Sequence, residues 1–190
     1  MRRPIAGLLL LVASTIAAMP VSAQDTGADG GELSIGKPVE PQLGDRYVTE
    51  KIGDWDIRCV KTDRPSDPCQ IYQLLTDASG TPTAEISIFK VSQTGVGAAG
   101  TIVTPLETLL TRGLTLSIDA ATPRQYQFTF CSQIGCIAQV GFTPEETDAM
   151  KAGNAAEMVI VPAGSRDARV ALSISLKGFT AAFDNLSPAQ

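Results

Sequence analysis

Gly53-Asp54-Trp55-Asp56 sets a carboxylate on either side of the only tryptophan in the chain. Two acids beside an aromatic ring suit glycoside chemistry, one as acid and one as base or nucleophile. They equally suit a sugar-binding acid next to a stacking ring. On a strand, residues two apart share a face, so Asp54 and Asp56 would stand together and Trp55 would point away. The simpler reading is a half-buried strand with Trp55 in the core and both acids in water. Glu85 is the third carboxylate considered for a hydrolase. The 190 residues contain no histidine, which removes the commonest general base, the commonest metal ligand and the usual activator of a nucleophilic serine or cysteine. Ser132 and Ser173 therefore lack an imidazole, and Lys151 and Lys177 have no feature that marks them as bases. The glycines at 95–100 lack the Lys-Ser/Thr ending and following helix of a phosphate loop. Glu145, Glu146 and Asp148 read as acids at a helix start. These residues define no catalytic, cofactor-binding or metal-ligating set, and no cofactor is implied.

The four cysteines fall into two short-range pairs, Cys59/Cys69 and Cys131/Cys136, each in sequence that reads as strand. Glycine lies in the bend between Cys131 and Cys136, and a tight hairpin would bring their α-carbons within the roughly 7 Å that a disulfide needs. Asp63, Pro65, Asp67 and Pro68 make a second turn-rich excursion between Cys59 and Cys69. Local pairing, 59–69 and 131–136, is preferred among the three possible connectivities. A zinc site or a thioredoxin-like dithiol would call for C-x-x-C spacing, which neither pair has. The cysteines are read as structural disulfides.

The chain ends place these candidates in an exported protein. Arg2 and Arg3 precede an apolar run from Ile5 to Met19, and Val21-Ser22-Ala23 supplies the small residues of a cleavage site, so residues 1–23 read as a secretory signal. The run is too short for a stable membrane span, and no transmembrane segment is expected after its removal. The mature chain would hold 13 Lys+Arg against 20 Asp+Glu, a net charge of −7, which argues against nucleic acid and anionic membrane as partners. Residues 24–45, rich in Gly, Pro and acids, read as a flexible tether. Residues 46–190 suit a single domain. An exported chain with an even cysteine count fits the oxidising periplasm.

The elements that must position the candidates are mostly strands. Trp55, Ile57 and Cys59 alternate with Asp54, Asp56 and Arg58. Ile71–Leu75 and Thr83–Lys90 flank a turn at Asp77–Gly80 and predict a hairpin. Residues 91–100 read as loop. Leu106, Leu109 and Leu110 have helical spacing ended by Gly113, and Leu114, Leu116 and Ile118 return to alternation. Tyr126, Phe128 and Phe130 predict one aromatic face, followed by a strand over Ile137–Phe142. Thr143-Pro144-Glu145-Glu146 is a capping box with proline at the first helical position, and Gly153 is placed to end that helix. Two strands follow, Glu157–Val161 and Arg169–Leu176, and a closing helix or turn comes after Gly178. About eight strands and one short helix predict a mainly β domain, an antiparallel β-sandwich or partly closed barrel.

Several of these blocks recur together in one known family. They are Gly53-Asp54-Trp55 with Arg58-Cys59, Pro68-Cys69, Ala84-Glu85-Ile86-Ser87-Ile88, Thr104-Pro105-Leu106, Leu110 and Gly113-Leu114. Phe130-Cys131 with Gly135-Cys136 and Leu176-Lys177-Gly178-Phe179-Thr180-Ala181-Ala182-Phe183 complete the set. In this ordered series, spanning residues 46–186, the chain resembles the invasion-associated locus B family of exported alphaproteobacterial proteins. The resemblance implies a β-rich periplasmic or outer-surface protein without known catalysis, in a family named for entry of a pathogen into red blood cells. The expected function is a non-enzymatic periplasmic or envelope binding module, with adhesion or host-cell invasion as a narrower form. Its partner would be an envelope protein or polysaccharide. The alternative is a carboxylate-based hydrolase of envelope polysaccharide acting through Asp54, Asp56 or Glu85.

Overall fold

Apolar residues at every second position build two antiparallel sheets that share one core. The computed structural model describes residues 35–188, so the expected signal segment and residues 24–34 of the expected tether lie outside the described residues. The larger sheet comprises β1 (Arg46–Ile52), β2 (Trp55–Val60), β3 (Cys69–Thr76), β4 (Pro82–Phe89), β5 (Ala98–Thr104), β8 (Phe130–Ser132) and β9 (Gly135–Phe142). Its order is β1-β2-β3-β4-β5-β9-β8. The smaller comprises β6 (Leu114–Ile118), β7 (Arg124–Tyr126), β10 (Ala155–Ile160) and β11 (Val170–Ser175), in the order β11-β10-β6-β7. Cross-strand rows such as Ile86–Ile102–Ala138 in the first sheet and Leu172–Met158–Leu116 in the second are buried. The result is a sandwich rather than a closed barrel.

Two segments differ from their sequence reading. Ala98, Ala99 and Gly100 carry little β-propensity, yet they open β5, a central strand between β4 and β9. Gly100 fits closely there: a Cβ would stand 3.0 Å from Ser87 O, 3.1 Å from Val140 Cγ2 and 3.2 Å from the Phe142 ring, so those neighbours would have to shift slightly. The aromatic alternation at 126–130 is split by a change of sheet. Tyr126 ends β7 in the small sheet and packs with Phe128 against the core, whereas Phe130 begins β8 in the large sheet and is exposed. A single face would have required one continuous strand.

Helix α1 (Pro144–Ala152) has the expected capping box: Glu146 N–H donates to Thr143 Oγ1, and Thr143 N–H donates to Glu146 Oε2. The Glu146 carboxylate also accepts from Tyr126 Oη at 2.7 Å and pairs with Arg124 at 2.8 Å, tying β7 to the helix start. Burial, and then the bond to Glu146, holds the Tyr126 phenol well above its usual pKa. The closing segment is helix α2 (Phe179–Asp184), whose Phe179, Ala182 and Phe183 are buried and which packs on β1, β2 and β3.

Both disulfides, Cys59–Cys69 and Cys131–Cys136, join directly opposed residues of antiparallel hairpins, with α-carbons 4.1 and 4.0 Å apart. Replacing Cys131 and Cys136 by serine is expected to lower unfolding free energy by about 2 kcal/mol, and the Cys59/Cys69 pair, closing the longer loop, by about 3 kcal/mol. Urea titration of the oxidised proteins reads both, and unchanged midpoints would remove the structural role.

Asp67 organises the loop that the first disulfide closes. Its carboxylate accepts from Tyr47 Oη at 2.6 Å, Thr62 N–H at 2.8 Å, Thr62 Oγ1 at 2.9 Å and Lys61 Nζ at 3.3 Å. These bonds, Tyr47 first and the Thr62 amide next, hold its pKa far below the ordinary carboxylate range. A carboxyl lowered on folding contributes stability that is complete above its unfolded pKa of about 4 and is lost as pH falls below it. Asp67→Asn should therefore flatten the acid side of the stability profile. Melts at about pH 7 and pH 3 check this, and parallel losses in the two proteins would assign the acid sensitivity elsewhere.

Candidate functional site

β2 and β3 stay paired only from Asp56↔Tyr72 to Cys59↔Cys69, although β2 begins at Trp55 and β3 runs on to Thr76. The end of β11 enters this split. Trp55 Nε1 donates to Ser175 O at 2.9 Å. Gln73 Nε2 donates to Ser175 O at 3.0 Å and to Asp54 O at 3.3 Å, and Gln73 Oε1 accepts from Ser175 N–H at 2.8 Å. Gln73 is only 7% exposed, and these bonds satisfy a side chain that would otherwise carry a heavy desolvation cost. Gln73→Leu would leave the Ser175 amide unpaired and is expected to cost roughly 1–3 kcal/mol. Denaturant midpoints test it, and a neutral result would show that the amide finds another acceptor.

Gly53 and Asp54 form the two-residue turn between Ile52 and Trp55, with Gly53 at φ +60. A glycine of positive φ at the first central position suits the tight hairpin turns whose twist matches the strands. The turn lies directly against the loop leaving β11. A Cβ on Gly53 would meet the Lys177 carbonyl and lie 2.9 Å from Gly178 Cα, and a Cβ on Gly178 would lie 2.9 Å from Gly53 Cα. Asp54 N–H donates to Lys177 O at 3.1 Å, and Ser175 Oγ donates to Asp54 Oδ2 at 2.6 Å. Trp55 meets Phe179 edge-on at 5.4 Å. The Gly-Asp-Trp and Leu-Lys-Gly-Phe blocks are thus two halves of one backbone lock.

Beside the lock lies an open cleft of about 470 Å³, lined in part by Lys51, Asp54, Asp56, Arg58, Tyr72 and Leu74. Asp54 sits in the turn rather than on the strand, so the two acids are not adjacent members of one strand face. Asp56 pairs with Lys51 at 3.6 Å and with Arg58 at 3.2 Å. The Arg58 guanidinium lies over the Tyr72 ring, 3.1 Å from its centroid. Burial, and then the Glu85 charge, raises the Tyr72 phenol above its usual pKa. Glu85 itself lies on β4 opposite Leu74 and Val103, beyond the residues that line the cleft. Asp54 Oδ2 accepts from Ser175 and the Asp56 carboxylate is bridged by Lys51 and Arg58, while Arg58 Nε is buried without a hydrogen-bond partner among the described residues.

The other chemical candidates are dispersed. Ser132 is on the exposed β8, whereas Ser173, on the outer side of β11, joins Asp54 and Asp56 in the lining of the cleft, with no imidazole to activate it. Of the glycines at 95–100, Gly97 packs against Thr143 and Pro144 at the start of α1, and Gly100 belongs to β5. Lys151 pairs with Asp184 at 2.7 Å. All four cysteines are bonded, and the described residues hold no group of three or more metal-ligating side chains. None of the described helices is long and apolar enough to cross a membrane. Sequence reading passed over Gln73 and Ser175. The signal was present in β3, where Ile71, Gln73 and Leu75 share the inward face and the middle residue is polar.

Fold and lock together define a disulfide-stapled antiparallel β-sandwich. The chain belongs to the invasion associated locus B (IalB) protein family, whose model matches residues 55–187, a span that reaches from Trp55 in one half of the lock past Phe179 in the other. Invasion protein B homologs of Brucella abortus, from strain 2308 and from biovar 1 strain 9-941, are each 29% identical over 144 residues, covering 75% of this chain and 81% of the relative. The crystal structure of invasion associated protein B from Bartonella henselae has the same fold, with a TM-score of 0.56 at 22% identity, over 72% of this chain and 93% of that one.

Proposed function

We propose that this protein is a non-enzymatic recognition module of the cell envelope, exported to the periplasm by a signal cleaved after Ala23. The observation that carries the reading is the state of the cleft: each charged side chain lining it already has a partner within the protein. A hydrolytic site would instead present a free carboxyl pair to substrate. A rigid, cross-linked scaffold with a polar cleft is suited to holding a partner, here an envelope protein or polysaccharide. The two disulfides favour an oxidising compartment. Adhesion or host-cell invasion is the narrower form supported by the names of the relatives.

A photo-crosslinking residue at Leu74, which is 47% exposed on the cleft rim, tests this in living cells. The expected result is one recurrent envelope adduct on a chain whose mature mass begins at Gln24. Release of reducing ends from envelope polysaccharide by the purified protein, abolished in Asp56→Asn, would overturn it in favour of the hydrolase.

A further inference from the structure

Among the described residues, β11 is the one long strand edge left regular. β7 and β8 have three residues each, and the exposed edge strand β1 is irregular between Val48 and Glu50, features that blunt pairing with another chain. β11 holds six residues in unbroken register with β10, without proline or charge. The lock shows which of its backbone groups face outward. Ser175 N–H goes to Gln73, away from β10, while the next residue, Leu176, donates its N–H to Asn154 O at 3.2 Å. Inward and outward groups alternate along an antiparallel strand. Ala171 and Ser173 therefore share the orientation of Ser175, and their N–H and C=O groups face the free edge with no partner among the described residues. Gln73 bonds both backbone groups of Ser175 as an adjoining strand would.

A trough of about 500 Å³ crosses the outer face of the small sheet up to this edge, lined by Ala171 and Ser173 on β11, Ala155 and Glu157 on β10, Ser117 on β6 and the turn at Thr76–Ala78. Its charged lining residues, Asp77, Asp119 and Glu157, are all acidic. We propose that the free edge of β11 is a strand-addition site for an extended peptide segment carrying lysine or arginine. This deepens the recognition reading and rests on it. The main chain of the peptide bonds to Ala171 and Ser173, the small outward side chains allow close approach, and the acidic trough receives the basic side chain. Asp77 accepts from the Ser79 hydroxyl and the Thr81 amide, and Asp119 from the Asn154 and Ala155 amides, so these two add negative charge. Glu157, which has no such bond among the described residues, is the carboxylate that meets the basic side chain. A second copy would set two acidic troughs side by side, and the chain's own N-terminal segment brings Asp25, Asp29 and Glu32; both repel.

The test uses the mature full chain, isotopically labelled, and three nine-residue peptides: alternating Lys and Val, the same with Glu for Lys, and the lysine peptide N-methylated at alternate residues. The lysine peptide is expected to slow amide exchange at Ala171 and Ser173, and to bind at least tenfold more tightly than the other two. Ser173→Pro removes an outward N–H and no ladder bond, and should weaken binding at least tenfold with the remaining amide spectrum preserved. Glu157→Lys, which leaves the edge intact, should do the same. Equal affinity for the three peptides, binding unaffected by Ser173→Pro, or no binding at millimolar peptide would overturn the proposal. Protection of both amides before peptide is added would also overturn it, in favour of self-pairing or the N-terminal segment. A cellular adduct at Leu74 that persists in Ser173→Pro would leave the recognition module standing and remove only this edge.

Discussion

Trp55→Ala is expected to lower the unfolding free energy by about 3–5 kcal/mol, the range for emptying a fully buried aromatic site. Trp55 is 0% exposed, meets Phe179 edge-on, and bonds the end of β11 through its indole N–H. Truncation would remove packing, an aromatic contact and a tie between the two sheets at one point. Trp55→Phe separates these contributions. It keeps much of the volume, and Ser175 O retains its bond from Gln73, so the cost should be about 1–2 kcal/mol. Denaturant titration of both variants gives the comparison. A loss below about 1 kcal/mol for alanine would mean that the lock does not hold the sheets together.

Gly53→Ala should cost roughly 2–4 kcal/mol, although it adds only a methyl group. Two penalties coincide: φ of +60, and backbone atoms of Lys177 and Gly178 where the Cβ must go. The obstacle is main chain on both sides, so relief would require moving the hairpin away from the loop after β11. Gly80→Ala is the control, because Gly80 also has positive φ, +82, but open space around it. It should lose only about 1 kcal/mol. Similar losses at the two glycines would attribute the effect to φ alone and deny the close approach.

The same geometry recasts the residues that first looked chemical. Asp54 and Asp56 resemble a catalytic pair because both flank an aromatic residue. One lies in a tight turn bonded to Ser175, and the other lies between Lys51 and Arg58. Arg58 and Lys51 are near neighbours of Asp56, two residues along β2 and directly across the β1–β2 hairpin, but Ser175 lies 121 positions from Asp54 and no local pattern announces it.

Local physics alone determined a good deal. Period-two alternation at 55–59, 114–118 and 170–176 required half-buried strands, and the Thr143–Glu146 capping box required a helix start. Hairpin-spaced cysteines favoured bonds within each pair. Each of these depends on neighbours within a few residues, which the chain order supplies directly. Tertiary structure decided what local preference opposed or ignored. It made a central strand of Ala98–Thr104, since pairing on both sides outweighs weak propensity, and it split the aromatic run at 126–130 by moving the chain from one sheet to the other. It also turned Gln73 from an ordinary strand residue into the clamp on β11, because a buried amide is stable only where distant backbone groups come to meet it.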